Sequence, residues 1–139
     1  MSTILEAENE IIEEFEMFDD WMDKYNYIIE LGKSLPLFDE QFKDDKHLIP
    51  GCQSQVWLHA EMVDGCLLFR ADSDAIITKG IINLLIRVLS GHTPQEISEA
   101  PLDYLDKIGI KQHLSPTRSN GLISMIEQIK GYASGKLKI

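Results

Sequence analysis

The side chains best suited to nucleophilic or metal chemistry are two cysteines, Cys52 and Cys66, and four histidines, His47, His59, His92 and His113. Cys52 stands in Ile49-Pro50-Gly51-Cys52-Gln53-Ser54-Gln55. Pro50-Gly51 is turn punctuation and polar residues follow, so this thiol is expected on a turn between two elements. A turn can present a thiol to another molecule, whereas strand and helix thiols are usually packed away. A free thiol ionises near about 8.5, so a few per cent is thiolate at neutral pH, enough for a nucleophile. On these residues alone, an incidental loop cysteine is an equal reading. His47 or His113 as a base for Cys52 is chemically possible, but a core or solvated histidine is the plainer reading of each. No C-x-x-C or H-x-x-x-H spacing occurs, and two thiols are too few for a four-thiolate zinc site, so no metal is expected. Neither glycine-rich phosphate motif occurs, so no nucleotide cofactor is expected.

The elements that must position Cys52 follow from periodicity. Ile4, Ile11, Phe15 and Phe18 recur at helical spacing among glutamates, which predicts an amphipathic helix over about 4–18. A second helix is expected from Asp20 through Trp21, Tyr25, Ile28 and Leu31, with Gly32 as its stop. Leu48-Ile49 reads as a short strand. From Ser54 the pattern alternates, and Asp64-Gly65 is a two-residue hairpin turn of the primed type. That closure pairs Val63 with Cys66, Met62 with Leu67, Ala60 with Phe69 and Leu58 with Ala71, with Met62, Ala60, Leu58, Leu67, Phe69 and Ala71 on one apolar face. Cys66 then lies near the turn, while Cys52 precedes the strand. Ten residues at about 3.3 Å each put the two roughly 30 Å apart, which argues against an intramolecular disulfide. Cys66 reads as a passive small residue.

After the hairpin, Asp72 or Ser73 is expected to cap a central helix over about 74–90, rich in Ile and Leu, with Asp74 a further capping candidate. Gly80 inside it signals close packing against a neighbour, and Gly91 ends it. Thr93-Pro94-Gln95-Glu96 is a capping box. Another short helix is expected around Leu102–Lys107, and Ser115-Pro116 opens the last long helix, with Leu122, Met125, Ile126 and Ile129 as its buried stripe. Residues 134–139 read as a frayed tail. The expectation is one α+β domain over residues 1–139, with a small antiparallel sheet of about three strands against several helices.

Charge narrows the partners. Of 23 acidic residues, nine fall before residue 24 with no base among them: Glu6, Glu8, Glu10, Glu13, Glu14, Glu16, Asp19, Asp20 and Asp23. The net charge of −10 leaves no basic surplus, so nucleic acid is not an expected partner. The acidic segment reads as a solvated helix face, or as a steering patch for a basic protein. No apolar run approaches the ~20 residues that span a bilayer. The start Met1-Ser2-Thr3-Ile4-Leu5-Glu6 lacks the pattern of a secretion signal, so a cytoplasmic protein with reduced thiols is expected.

The stretch Ile49-Pro50-Gly51-Cys52-Gln53-Ser54-Gln55-Val56-Trp57 resembles the SufE family of sulfur-acceptor proteins, whose hallmark is G-C-x-S-x-V-W. The resemblance continues through Lys24–Lys33, Asp72-Ser73-Asp74-Ala75, Lys79-Gly80 and His113–Leu122, and covers about residues 20–133. It implies a fold like that of the cluster scaffold IscU. It implies a pyridoxal-phosphate cysteine desulfurase of SufS type as partner, with that cofactor held by the partner. Cys52 would take the desulfurase's persulfide sulfur, stimulate that enzyme, and deliver sulfur to an iron–sulfur scaffold of SufBCD type. This makes the chain a carrier rather than an enzyme in its own right. Ile49, Val56 and Trp57 are the candidate shelter for a persulfide beside the turn, and Arg118 is a candidate for orienting the loop or stabilising an anion. An allosteric activator with Cys52 incidental, or a thiol redox sensor, remain as alternatives, and both monomer and weak homodimer fit.

Overall fold

The hydroxyl of Thr3 accepts from the Glu6 amide, and the Glu6 carboxylate returns to Thr3, closing a capping box at the start of α1 (Ile4–Glu16). A computed structural model describes residues 3–139, so Met1-Ser2 of the N-terminal start lie outside the described residues. The glutamates of α1 do not form one solvated face. Ile11 and Phe15 are buried as expected, but Glu8 is buried with them. Burial, with Asp103 nearby, raises the Glu8 carboxyl. Glu14 turns inward as well: both its oxygens accept from the Arg87 guanidinium at 2.8 Å, a bidentate pair that ties α1 to the central helix and holds the Glu14 carboxyl low. The Tyr27 hydroxyl also donates to Glu14; burial and that carboxylate push Tyr27 up to about 12.

Asp20 caps α2 (Trp21–Lys33) through the Asp23 amide. Gly32 does not stop this helix, as expected from sequence, but lies inside it, where α3 (Ile76–Leu89) passes so close that a Cβ would lie 2.8 Å from the Ile76 carbonyl oxygen. Gly80 stands on the other side of the same crossing: its Cβ would lie 2.0 Å from the Ile28 carbonyl oxygen. The buried Asn83 of α3 donates to the Leu31 carbonyl at 2.7 Å, joining the Ser34 N–H and hydroxyl that the same carbonyl accepts at the end of α2.

The hairpin is as the turn dictates. β1 (Val56–Val63) and β2 (Cys66–Ser73) pair antiparallel, Val63 with Cys66, Met62 with Leu67, Ala60 with Phe69 and Leu58 with Ala71. Asp64 at φ 51° and Gly65 at φ 80° supply the two left-handed residues of a primed turn. Leu58, Ala60, Leu67, Phe69 and Ala71 are buried, but Met62 is 49% exposed: the segment at Gly91 and His92 bridges to Leu67 of β2 and leaves the β1 side of that pair open. The sheet has two strands rather than about three. Leu48 reaches Trp57 only as an isolated bridge, since Pro50 has no N–H to extend a ladder and Gly51 turns away.

Ten of the fourteen residues of α3 are buried, which makes it the central helix, as its composition predicts. Its cap differs from expectation. Ala75 is the N-cap and no side chain caps it, because Asp72, Ser73 and Asp74 are engaged elsewhere. Asp72 pairs with Lys43 at 3.0 Å and Lys79 at 3.3 Å, and Ser73 and Asp74 hold the loop described below. The capping box at Thr93 and Glu96 opens α4 (Pro94–Glu99), followed by α5 (Tyr104–Lys107), α6 (Ile110–His113) and α7 (Pro116–Ser134). α7 buries Leu122, Met125 and Ile129 of the expected stripe. Beyond it the chain turns at Gly135, φ 82°, and Leu137 N–H donates to the Gly131 carbonyl at 3.0 Å. The result is an α+β fold with a two-stranded antiparallel sheet against several helices. Among the described residues, no helix is long and apolar enough to cross a membrane.

Candidate functional site

Cys52 is held between two backbone anchors. Before it, Ile49 N–H donates to the Val56 carbonyl at 2.8 Å and Leu58 N–H to the His47 carbonyl at 2.9 Å. After it, Gln55 is clamped to the strand-to-helix corner. Its N–H donates to Asp74 Oδ1 at 3.0 Å, and its carbonyl accepts from Ser73 Oγ at 2.7 Å and Asp74 N–H at 3.2 Å. Between the anchors Gly51 adopts φ 87°, and a Cβ there would lie 2.5 Å from Ser124 Oγ of α7. The positive φ favours glycine here, and the absent Cβ lets the turn lie close against Ser124 of α7.

The thiol is half-buried and packed with the core. Its Sγ donates to the Gly121 carbonyl at 3.7 Å, and Gly121 has no side chain between α7 and the sulfur. Cys52 lines a pocket of about 100 Å³. Gln53 and Ser54 close one side, Thr78 and Ile81 of α3 another, and Thr117, Arg118 and Met125 of α7 the rest. The pocket walls therefore come from the turn, α3 and α7, and not, as expected from sequence, from Ile49, Val56 and Trp57. Ile49 and Val56 belong to the core, and Trp57 sits under the Lys43 ammonium, 5.4 Å from its ring centre. Of these walls Arg118 is the one expected from sequence; Gly121 is not, although a glycine inside a helix carries the same close-approach signal as Gly80.

Burial pushes the Cys52 thiol above its ordinary value, because the thiolate loses solvation that the pocket does not replace. The rate of alkylation by iodoacetamide should therefore rise with pH along a curve displaced upward from that of the urea-unfolded chain. A midpoint at or below the unfolded one would contradict the burial described. The sign for stability follows. The folded chain keeps the thiol proton longer, so stability falls as pH climbs past the unfolded thiol's pKa toward the folded one.

Arg118 lies in the first turn of α7, which Ser115 caps through the Arg118 amide at 3.3 Å. Its guanidinium donates to the Tyr25 hydroxyl at 3.0 Å and lies over that ring. Arg118 thus borders the Cys52 pocket while its charge is steered by α2. One turn earlier on α2, Trp21 stacks on His113 with ring centres 4.3 Å apart. His113 Nδ1 is engaged with the Gly109 carbonyl at 2.9 Å, and His47 with Asp44 at 2.6 Å. Neither histidine lines the pocket, so the fold does not pair Cys52 with a histidine base. Cys66 is also free and half-buried, at the far end of the hairpin. Among the described residues, no group of three or more His, Cys, Asp or Glu is placed to hold a metal ion.

The arrangement encloses one half-buried thiol in a small pocket between the turn, α3 and α7. An uncharacterized SufE-like protein of Rhizobium meliloti (strain 1021) is 42% identical over 134 residues, spanning 93% of this chain and 96% of the relative. An uncharacterized SufE-like protein of Rhizobium etli is 38% identical over 127 residues, spanning 88% of this chain and 86% of the relative. In fold, the chain is similar to the solution structure of a hypothetical protein from Thermus thermophilus, with TM-score 0.75 and 18% identity over 93% of this chain and 94% of that one. Residues 9–133, which take in both anchors of Cys52 and all the pocket walls, match the family described as SufE, Fe-S metabolism associated domain, and the chain belongs to that family.

Proposed function

We propose that Cys52 accepts sulfur from the persulfide of a pyridoxal-phosphate-dependent cysteine desulfurase, stimulates that enzyme by clearing it, and passes the sulfur to an iron–sulfur cluster scaffold. Membership of a family of Fe–S metabolism sets the setting. The observation that carries the finer reading is the pocket. A water needs about 10–15 Å³ of such volume, so about 100 Å³ beside Sγ leaves room for one further sulfur with Cys52 still tucked in. Persulfides are readily lost or oxidised, and shelter between transfers is what a carrier requires.

The transfer is a thiol–disulfide exchange in form. The Cys52 thiol gives up its proton and the thiolate attacks the terminal sulfur of the donor persulfide. The donor S–S bond breaks, an S–S bond forms at Cys52, and the donor cysteine leaves as a thiolate that takes a proton. No net oxidation occurs. At rest, burial disfavours the thiolate, so reactivity rises when docking draws the turn off α7.

The test is to incubate the full chain with a desulfurase and L-cysteine and follow intact mass, then map the modified peptide. One added sulfur on Cys52 supports the carrier. Stimulation of the desulfurase with no added sulfur, or sulfur on Cys66, overturns it in favour of an allosteric activator. Modification by peroxide alone, with no uptake from desulfurase, points instead to a redox sensor. Arg118, bordering the pocket, is proposed to stabilise the sulfur anion as it arrives. Arg118→Ala should slow uptake several-fold while alkylation of Cys52 in the free chain changes little, and Arg118→Lys should restore part of the rate. Equal uptake by Arg118→Ala removes that role.

A further inference from the structure

On the outer face of the hairpin, away from Cys52, the fold joins two histidines that lie twelve residues apart in sequence. His47 ends a tight turn in which its own N–H donates to Asp44 Oδ1 at 3.1 Å. Its ring is set by the same carboxylate: Nδ1 lies 2.6 Å from Asp44 Oδ1, an arrangement that favours a proton on Nδ1 and so makes Nε2 the nitrogen a neutral ring would offer to a ligand. His47 Nε2 lies 3.5 Å from Nδ1 of His59 on β1, long for a hydrogen bond. The His59 ring is fixed in turn by stacking on Phe42, with centres 3.9 Å apart and planes 7° from parallel. Both rings are thus oriented by neighbours before any ligand arrives.

We propose that His47 Nε2 and His59 Nδ1 bind one divalent transition-metal ion, with Asp44 as the carboxylate behind His47. Two imidazole nitrogens 3.5 Å apart, each at about 2.05 Å from an ion, subtend about 117° there, close to a tetrahedral angle. The ring centres, 5.5 Å apart, are nearer than head-on apposition would place them. Asp44–His47–metal is the carboxylate–histidine arrangement that fixes the tautomer and raises the basicity of a metal-binding imidazole. His59 needs only to carry its proton on Nε2. Both residues are partly exposed, so solvent reaches the pair and water would complete the ion's coordination. Arg70 stands opposite His59 in the strand register, and Asp39 and Glu61 line the same groove and offset its charge. Imidazole donors favour zinc, copper, nickel or ferrous ions over magnesium and calcium. The bound ion would fasten the turn at Asp44–His47 to β1, independently of sulfur transfer.

The test uses the full chain with Cys52→Ser and Cys66→Ser, so that no thiol competes, and zinc as the probe. Calorimetry should give one ion per chain, unaffected by equimolar magnesium. His47→Ala and His59→Ala should each weaken binding tenfold or more, and Asp44→Asn about ten- to a hundredfold. Imidazole nitrogen NMR on the chain with all its histidines should show His47 Nε2 and His59 Nδ1 shifting with zinc while His92 and His113 stay put. That readout does not depend on a variant folding. Unchanged affinity in His59→Ala, competition by magnesium, or shifts at other histidines alone would overturn the site.

Discussion

Replacing Gly80 with alanine is expected to destabilise the protein by about 2–3 kcal/mol, although alanine is the better helix former by about 1 kcal/mol. The added methyl would lie 2.0 Å from the Ile28 carbonyl oxygen and 2.6 Å from Ile28 Cγ2. The first of these is backbone, so no side-chain rotation relieves it, and α2 and α3 must separate. Overpacking costs about 1–3 kcal/mol and occasionally more; a backbone clash this close belongs at or above the upper end, about 3–4 kcal/mol, of which the propensity gain offsets about 1 kcal/mol. With an unfolding entropy of about 2.1 cal/mol/K per residue, 139 residues turn that loss into a fall in Tm of roughly 7–10 °C. Gly135→Ala is the control. It has φ 82° and nothing within 4 Å of its Cβ position, so it carries only left-handed strain of about 1–2 kcal/mol. Separation of the helices also moves Ile81 and Thr78, two walls of the Cys52 pocket, so Gly80→Ala should speed alkylation of Cys52. A Gly80→Ala protein that melts higher than its parent would show that the crossing is not this close.

The Gly80 contact also shows how far sequence carries. A glycine inside an apolar helix pattern has two physical meanings, a left-handed stop or a close approach, and local sequence does not separate them. Gly80 reads correctly as an approach because helical periodicity continues past it. Gly32 reads as a stop because the periodic residues run out there, yet it is the other half of the same contact. The hairpin was legible to the residue because its information is local: Asp64-Gly65 sets the turn, the turn sets the register, and the register sets the faces. Met62 departs because cover at the hairpin's end comes from the Gly91–His92 segment on the β2 side, which the local pattern does not place. The turn that carries the thiol was legible from Pro50-Gly51, but its pocket was not. The walls come from residues 78–81 and 117–125, brought together by packing that no local pattern encodes. Asp72, Ser73 and Asp74 are acceptors placed before a helix, which reads as capping. Competition from Lys43, Lys79 and the Gln55 backbone decides otherwise.

Cys52→Ser is expected to abolish sulfur uptake while leaving the fold nearly untouched, and this combination is what gives the substitution its force. The hydroxyl is slightly smaller than the thiol, sits in the same half-buried place, and can donate to the Gly121 carbonyl that Sγ already faces at 3.7 Å. Gly51, the Gln55 clamp and the walls from α3 and α7 make no use of sulfur as such, so stability should change by no more than about 1 kcal/mol. A serine hydroxyl is not ionised near neutral pH and does not form a stable bond to sulfane sulfur, so transfer should fall to background rather than slow by degrees. Cys66→Ser should transfer as the parent does, because Cys66 pairs with Val63 beside the hairpin turn, outside the pocket. The desulfurase assay then divides the readings. If stimulation comes from clearing the donor's persulfide, Cys52→Ser loses it together with uptake. If it comes from docking, Cys52→Ser stimulates as well as the parent, because the surfaces around the turn are intact. Loss of both activities in a chain that melts normally would tie function to one sulfur atom held against Gly121.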